Sequence, residues 1–213
     1  MSSDSPGSSP ASTLHYFYNC YNIAMETEYE AKFLDVDKTQ VRARLKSVGA
    51  TLERTEFLQR RWVLDLPQDL HSSKVFARVR DEGGIVTLTY KEFSGEEKDN
   101  PQEIEVIVND FEDTVELLTK LGCKKASYQE NYRELWHLGE AEITIDSWPF
   151  FNPFVEIEGT SEEVVEAASK KAGFDWSAAL FCGVSRLYRM RYGENVHIRE
   201  MPMLTFAMPN PFA

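Results

Sequence analysis

Apolar and polar residues alternate along much of the chain, and this period of two is typical of half-buried β-strands. In the stretch ETEYEAKF (residues 26–33), Glu28, Glu30 and Lys32 would share one face of an extended strand. A glycine pair at Gly83–Gly84 predicts a hairpin turn between two such segments. Seven further segments show the alternation: FLQRRWVLDL, KVFARVRD, GIVTLTYKEF, QEIEVIV, YRELWHL, AEITIDSW and FVEIEG.

Three other segments carry the helical period instead. Each has a polar N-cap residue, an apolar stripe at three- and four-residue spacing, and a glycine at which the helix can stop. The predicted helices run from Asp37 to Gly49, from Asn109 or Asp110 to Gly122, and from a capping box of Thr160 and Glu163 to Gly173. Strands and helices in this order predict an α+β fold.

Paired acids precede each predicted helix. The three pairs are Glu28/Glu30, Glu103/Glu105 and Glu156/Glu158, each in a Glu-x-Glu strand. The alternate apolar residues face the other way, where the helices would pack, so the acids lie opposite the helices. Cationic and acidic residues follow the same period on the other strands: Arg78, Arg80, Lys91, Arg133 and Asp146. Only one of Arg60 and Arg61 can join this face, and periodicity alone does not choose between them.

The simplest interpretation of one such strand is a solvated face. Three paired-acid strands together with the basic strands favour a shared polar interior, which would be costly unless ligands complete it. Paired carboxylates suit hard divalent cations such as Mg²⁺ or Mn²⁺. Arginine and lysine suit phosphate oxygens. The pattern therefore predicts a site for a metal–polyphosphate complex.

Composition limits the classes of partner. The chain has 213 residues and a net charge of −12, which argues against a nucleic-acid or anionic-membrane surface. Its three cysteines have no metal-ligand spacing and suit a reducing cytoplasm. No apolar run approaches the ~20 residues that cross a bilayer. We therefore expect a cytoplasmic protein.

Sequence character changes along the chain. Residues 1–24 contain six serines and little charge, and they are predicted to form a disordered leader. The folded domain is predicted to cover residues 25–192. Residues 193–213, which contain three prolines, form a C-terminal extension.

The segment EYEAK fits the ExExK signature of CYTH proteins, also called triphosphate tunnel metalloenzymes. The chain also resembles this family in FARVRDEGGIVTLTYKEF, QEIEVIV, YRELW, ITIDSW and FVEIEG, which occur in the family's order over residues 25–192. The resemblance implies a closed barrel of eight antiparallel strands with helices packed outside. It also implies one or two divalent metals and a triphosphate substrate, which the family hydrolyses or, in class IV adenylyl cyclases, cyclises.

The resemblance also implies roles for individual residues. Arg61 is preferred to Arg60 as the inward-facing residue because Arg61 and Asp65, four positions apart, lie on the same face of the strand. Two positions depart from the family pattern: Asn131 stands where many members have lysine, and VSRLY offers only Arg186 in place of another lysine. The implied metal ligands are Glu28, Glu30, Glu103, Glu105, Asp146, Glu156 and Glu158. The implied phosphate-binding residues are Lys32, Arg61, Arg78, Arg80, Lys91, Arg133 and Arg186, with Glu28, Glu30 and Lys32 as catalytic residues.

The sequence thus predicts a Mg²⁺- or Mn²⁺-dependent triphosphatase with a small-molecule substrate and no nucleic-acid or membrane partner. Inorganic tripolyphosphate, thiamine triphosphate and nucleoside triphosphates are candidate substrates, and the first is favoured because no base-recognition motif is evident. A class IV adenylyl cyclase and a non-catalytic polyphosphate- or nucleotide-binding module are the alternatives. Dimerisation is left open.

Overall fold

The computed structural model describes residues 26–27, 29–67, 75–93 and 102–213. The predictions for the leader and for Glu28 lie outside these residues. The helices are α1 Lys38–Ser47, α2 Phe111–Lys120, α3 Glu162–Lys171 and α4 Val184–Tyr192, with a short 3₁₀ helix at Trp176–Ala178. The strands are β1 Glu26–Thr27, β2 Tyr29–Phe33, β3 Thr51–Asp65, β4 Val75–Asp81, β5 Val86–Glu92, β6 Gln102–Val108, β7 Lys124–Leu138, β8 Ala141–Ser147, β9 Phe154–Gly159 and β10 Met203–Leu204.

Eight strands, β2 to β9, form one antiparallel sheet in the order β6-β5-β4-β3-β7-β8-β9-β2. The short β1 extends the sheet beside β6, and β10 lies parallel to β7. The α+β class is confirmed, but the predicted closed barrel is not: the sheet curls into a half-barrel. Among the described residues no strand pairs with both β6 and β9, since β1 pairs only with β6 and β2 only with β9.

The outer face of the sheet carries the apolar core. Ala31, Ile143 and Ile157 are fully buried there in a cluster with residues of α1 and α3, and α2 covers Ala77 and Val79 of β4 in a second cluster. This burial takes the apolar side of each alternating strand. The opposite, concave face is therefore left to the polar positions.

Local sequence signals account for the first three helices. Asp37 and Asp110 accept hydrogen bonds from Gln40 N and Asp113 N at 2.9 and 2.8 Å, as expected of N-caps. The third helix begins one residue later than predicted, with Ser161 rather than Thr160 as N-cap. The sequence did not predict α4, which has no side-chain cap and begins after Gly183.

The C-terminal segment 193–213 packs against β7. Ile198 and Leu204 are buried, and the backbone N–H of Tyr128 donates to the Pro202 carbonyl at 3.1 Å. The Ile198 carbonyl accepts from the hydroxyl of Ser127 and the amide of Gln129 at 3.0 and 3.2 Å. The segment thereby covers part of the polar concave face. Within the described ranges, no helix has the length and apolar character that crossing a bilayer requires.

Candidate functional site

The concave face encloses a cavity of about 850 Å³ lined by charged side chains of β2 to β9 and α4. Of the residues predicted for the site, all except Glu28 and Asp146 line it. Glu28 is outside the described residues, and Asp146 lies fully buried beside the lining residue Arg133. The period of two produces this arrangement, because every second side chain of each strand points inward. The roles assigned to these residues stay predictions.

Lys32 occupies the centre of one charged cluster. Its side chain is 1% exposed, and its Nζ lies 2.6 Å from Glu30 and 2.8 Å from Glu156. The pairing of β2 with β9 places Lys32 directly opposite Glu156. Burial opposes the charged form, but Glu156 and Glu30 raise the pKa of Lys32 above its ordinary value. Burial likewise opposes ionisation of Glu156, yet Lys32 and Arg133 hold its pKa well below the usual range.

A row of three acids crosses the neighbouring strands. Glu158 on β9 stands opposite Glu30 on one side and Glu142 on the other. Like charges placed directly opposite one another in a sheet repel. Burial raises the pKa of both Glu30 and Glu142 above the ordinary value. A cation in contact with this row would relieve the repulsion.

Three cavity arginines are matched by carboxylates. Arg80 lies 2.7 Å from Glu82, and Arg78 lies 3.4 Å from Glu105. Arg133 contacts Asp146 and Glu156 at 2.6 and 3.0 Å. Burial opposes the charge of Arg133, but Asp146 and Glu156 raise its pKa well above the ordinary value. Lys91 is similarly placed, 3.0 Å from Glu103.

Arg61 differs from these arginines. It is 6% exposed, stacks over Trp148 at 4.7 Å, and within the described part of the chain makes no ion pair. Burial and the nearby Arg78, Arg80 and Arg133 lower its pKa well below the ordinary value. Its neighbour Arg60 points to the outer face, where it contacts Asp81 at 2.9 Å and stacks over Phe111. The cavity therefore contains a buried guanidinium that has no ion-pair partner among the described residues, and only the nearby charge of Asp146 partly offsets its own.

The predicted metal ligands do not gather at one point. Glu105 and Asp146 serve as partners of arginines, and Asp146 accepts from both Nε and Nη2 of Arg133. Across the described ranges, no three His, Cys, Asp or Glu side chains are arranged to enclose a metal ion. The donor chemistry of the acid row nevertheless fits a hard divalent cation, because it offers carboxylate oxygens that repel one another. Glu30 and Glu158 are the predicted ligands in that row, and Glu142 adds a third.

Several cavity residues escaped the sequence interpretation. Gln59, Glu82 and Glu142 share the inward parity of Arg61, Arg80 and Asp146 on their strands, so the alternation already contained the signal. Arg189 and Arg199 come from α4 and the C-terminal segment, for which the alternation gave no signal. The predicted phosphate ligand Arg186 lies at the cavity edge and contacts Glu194 at 2.7 Å.

Comparison with known proteins places this arrangement in a family. The pattern of the CYTH domain family matches residues 26–176. That span covers most of the chain and includes the strands that carry the charged interior, apart from α4 and the C-terminal segment. The chain belongs to the CYTH domain family.

Individual relatives agree with the fold. A Methanocaldococcus jannaschii protein named as a candidate adenylate cyclase is 28% identical over 143 residues, covering 65% of this chain and 80% of that protein. A Pyrococcus horikoshii structure gives a TM-score of 0.62 at 21% identity, covering 73% of this chain and 96% of its own. A Hippeastrum structure gives 0.50 at 17% identity, covering 78% and 95%; it is described as a candidate adenylyl cyclase with a dominant triphosphatase activity.

Proposed function

We propose that this protein hydrolyses a triphosphate-bearing small molecule with the help of a divalent metal. The observation that carries the proposal is Arg61, a buried guanidinium without a carboxylate partner among the described residues, grouped with Arg78, Arg80 and Arg133 around one cavity. An anion bound beside this cluster would supply the negative charge that Arg61 lacks. A phosphate chain does so with several oxygens on each tetrahedral phosphorus, which the planar guanidinium of arginine can bind in a bidentate manner.

The chain's own residues account for binding and orientation. A triphosphate carries about four negative charges near neutral pH, which repel an attacking oxygen until they are screened. The arginine cluster and Lys91 would hold the phosphate chain and neutralise that charge. Glu30, Glu158 and Glu142 would each offer carboxylate oxygens to a metal bound beside the acid row, and the metal would supply a water of lowered pKa and further charge neutralisation. Lys32 keeps Glu30 and Glu156 fixed on the cavity wall.

Inorganic tripolyphosphate is the favoured substrate, with thiamine triphosphate and nucleoside triphosphates as the others. The charged groups of the lining all suit phosphate recognition, which requires no organic moiety, although apolar residues such as Phe57, Phe76 and Trp148 also line the cavity. A second candidate is cyclisation of ATP to cAMP and pyrophosphate. It is supported by the M. jannaschii relative, which is named for that activity. In that reaction a ribose hydroxyl would take the place of the attacking water.

The test is a screen of tripolyphosphate, thiamine triphosphate and ATP, each with Mg²⁺ or Mn²⁺ and each after chelation by EDTA. Phosphate, pyrophosphate and cAMP are measured as separate products. We expect phosphate release that is lost in EDTA and restored by Mg²⁺ or Mn²⁺. Ca²⁺ should restore it poorly, because its looser coordination places a bound water less strictly.

Each outcome of the screen is decisive for one part of the proposal. Full turnover in EDTA would exclude the metal role. cAMP as the main product from ATP would replace the hydrolase by the cyclase. Tight binding of tripolyphosphate without any product would favour a binding module.

A further inference from the structure

Two neutral amides surround the guanidinium of Arg61. Gln59 Oε1 accepts a hydrogen bond from Arg61 Nη2 at 3.1 Å, and Asn131 Oδ1 accepts from the same nitrogen. Gln59 and Asn131 are both fully buried and stand opposite each other in the ladder between β3 and β7. The deepest arginine of the cavity is thus held by uncharged groups from two strands.

Each amide also contacts an acid that another arginine already neutralises. The amide nitrogen of Gln59 donates to Glu82 at 2.9 Å, and Glu82 lies 2.7 Å from Arg80. On the other side, the Asn131 nitrogen donates to Asp146 at 3.1 Å, and Asp146 lies 2.6 Å from Arg133. The Arg80–Glu82 ion pair and the hydrogen bonds that follow it therefore form one chain: Arg80, Glu82, Gln59, Arg61, Asn131, Asp146 and Arg133.

The order within this chain follows from donor and acceptor chemistry. Arginine only donates and a carboxylate only accepts, so an amide between them must turn its oxygen to the arginine and its nitrogen to the acid. The amide thereby orients both neighbours but, being uncharged, neutralises neither of them. Arg80 and Arg133 each form an ion pair with the acid at their end of the chain, whereas Arg61 at the centre forms none among the described residues.

We propose that Gln59 and Asn131 are positioning residues that fix Arg61 while leaving its charge uncompensated, so that the phosphate anion becomes its counter-ion. This inference rests on the proposed function and adds the reason why the site prefers a highly charged anion. A carboxylate at either position would still accept a hydrogen bond from Arg61, but it would no longer donate to Glu82 or Asp146. It would also neutralise Arg61 in advance and remove the advantage of binding phosphate there.

The test compares two substitutions of Gln59 that differ in charge. Gln59→Glu keeps the shape and the acceptor for Arg61, but it replaces the donor to Glu82 by a negative charge; Gln59→Met removes both hydrogen bonds without adding charge. Binding of inorganic tripolyphosphate is measured by titration calorimetry at mildly alkaline pH, with thermal melts to verify folding. We expect Gln59→Glu to lose at least about tenfold in affinity, and Gln59→Met to lose less.

The larger loss of affinity in Gln59→Glu than in Gln59→Met distinguishes a residue that positions Arg61 without neutralising it from one that has only a structural role. If Gln59 only packed or hydrogen-bonded, Met would bind the anion worse than Glu, because Met loses both partners. The pair Asn131→Asp and Asn131→Leu repeats the comparison from the other strand and keeps the test decisive if a Gln59 variant does not fold. In either pair, the inference would be overturned if the two variants bound tripolyphosphate equally well, or if the apolar variant bound it less tightly than the acidic one. Failure of the unsubstituted protein to bind tripolyphosphate would instead overturn the proposed function.

KM and kcat provide a second measurement. Since the amides act through a residue that holds the phosphate chain, Gln59→Glu should raise KM for tripolyphosphate more than it lowers kcat. An effect confined to kcat would contradict the positioning role.

Discussion

Replacement of Lys32 by Met is expected to lower the free energy of unfolding by about 3–5 kcal/mol in the absence of ligand. Lys32 is 1% exposed and is the ammonium between Glu30 and Glu156, at 2.6 and 2.8 Å. Its removal would leave the buried carboxylate of Glu30 without its ion-pair partner and Glu156 with Arg133 alone, at 3.0 Å. Chemical denaturation of the two proteins measures the difference. Added Mg²⁺ should recover part of the loss, because it supplies positive charge to these acids.

An exposed lysine provides the matched control. Lys170 forms an ion pair of the same length with Glu166, at 2.6 Å, but its side chain is 61% exposed. Lys170→Met should therefore cost no more than about 0.5 kcal/mol and show no response to Mg²⁺. If Lys32→Met were as mild as this control, the charged cluster would have to be solvated, and its place inside the cavity would be wrong.

The period of two predicted the inward and outward faces well. QEIEVIV and FVEIEG coincide with β6 and β9, and the paired acids of both strands line the cavity. Parity alone was enough because burial of one face forces every second side chain to the other. The preference for Arg61 over Arg60 followed the same parity and matches the direction in which the two side chains point.

Pairing between distant segments could not be predicted in this way. Alternation does not tell which acid meets which base, so the seven predicted metal ligands gave no hint that Asp146 and Glu105 contact arginines. Closure of the sheet could not be predicted for the same reason, because it depends on which residues of 26–33 pair with β6 and which pair with β9. β7 begins at Lys124, eight residues before the predicted strand YRELWHL, and it pairs with β3 through irregular register shifts.

The sequence interpretation also overlooked the uncharged residues within the charged interior. Gln59 and Asn131 carry no formal charge, so a search for acids and bases passed over Gln59 and treated Asn131 only as a departure from the family pattern. Their importance is visible only once both strands are placed side by side and the amides contact Arg61. Function in such a site depends on where charge is left uncompensated as much as on where it is placed.

Arg61→Met is expected to reduce kcat/KM for tripolyphosphate by about 30- to 1000-fold, equivalent to about 2–4 kcal/mol of lost stabilisation. The reason is that Arg61 forms no ion pair with a carboxylate in the described structure, so a phosphate chain would be its first direct counter-ion. Stability should change little. Loss of a buried, mutually repelled charge is favourable, while the Gln59 and Asn131 oxygens lose a donor, and the two effects offset to within about 1 kcal/mol.

The adjacent arginine makes the prediction specific. Arg60→Met removes the same side chain one residue away, on the outer face, where Arg60 contacts Asp81 at 2.9 Å and stacks over Phe111. It should leave kcat/KM within about twofold and cost about 1 kcal/mol or less of stability, as expected for an exposed pair. Initial rates of phosphate release and denaturation curves for both variants provide the measurements.

Equal losses of activity in the two variants would mean that the net charge of the protein, rather than the guanidinium of Arg61 in the cavity, governs binding. A large loss of stability in Arg61→Met alone would mean that Arg61 is compensated in the ligand-free protein.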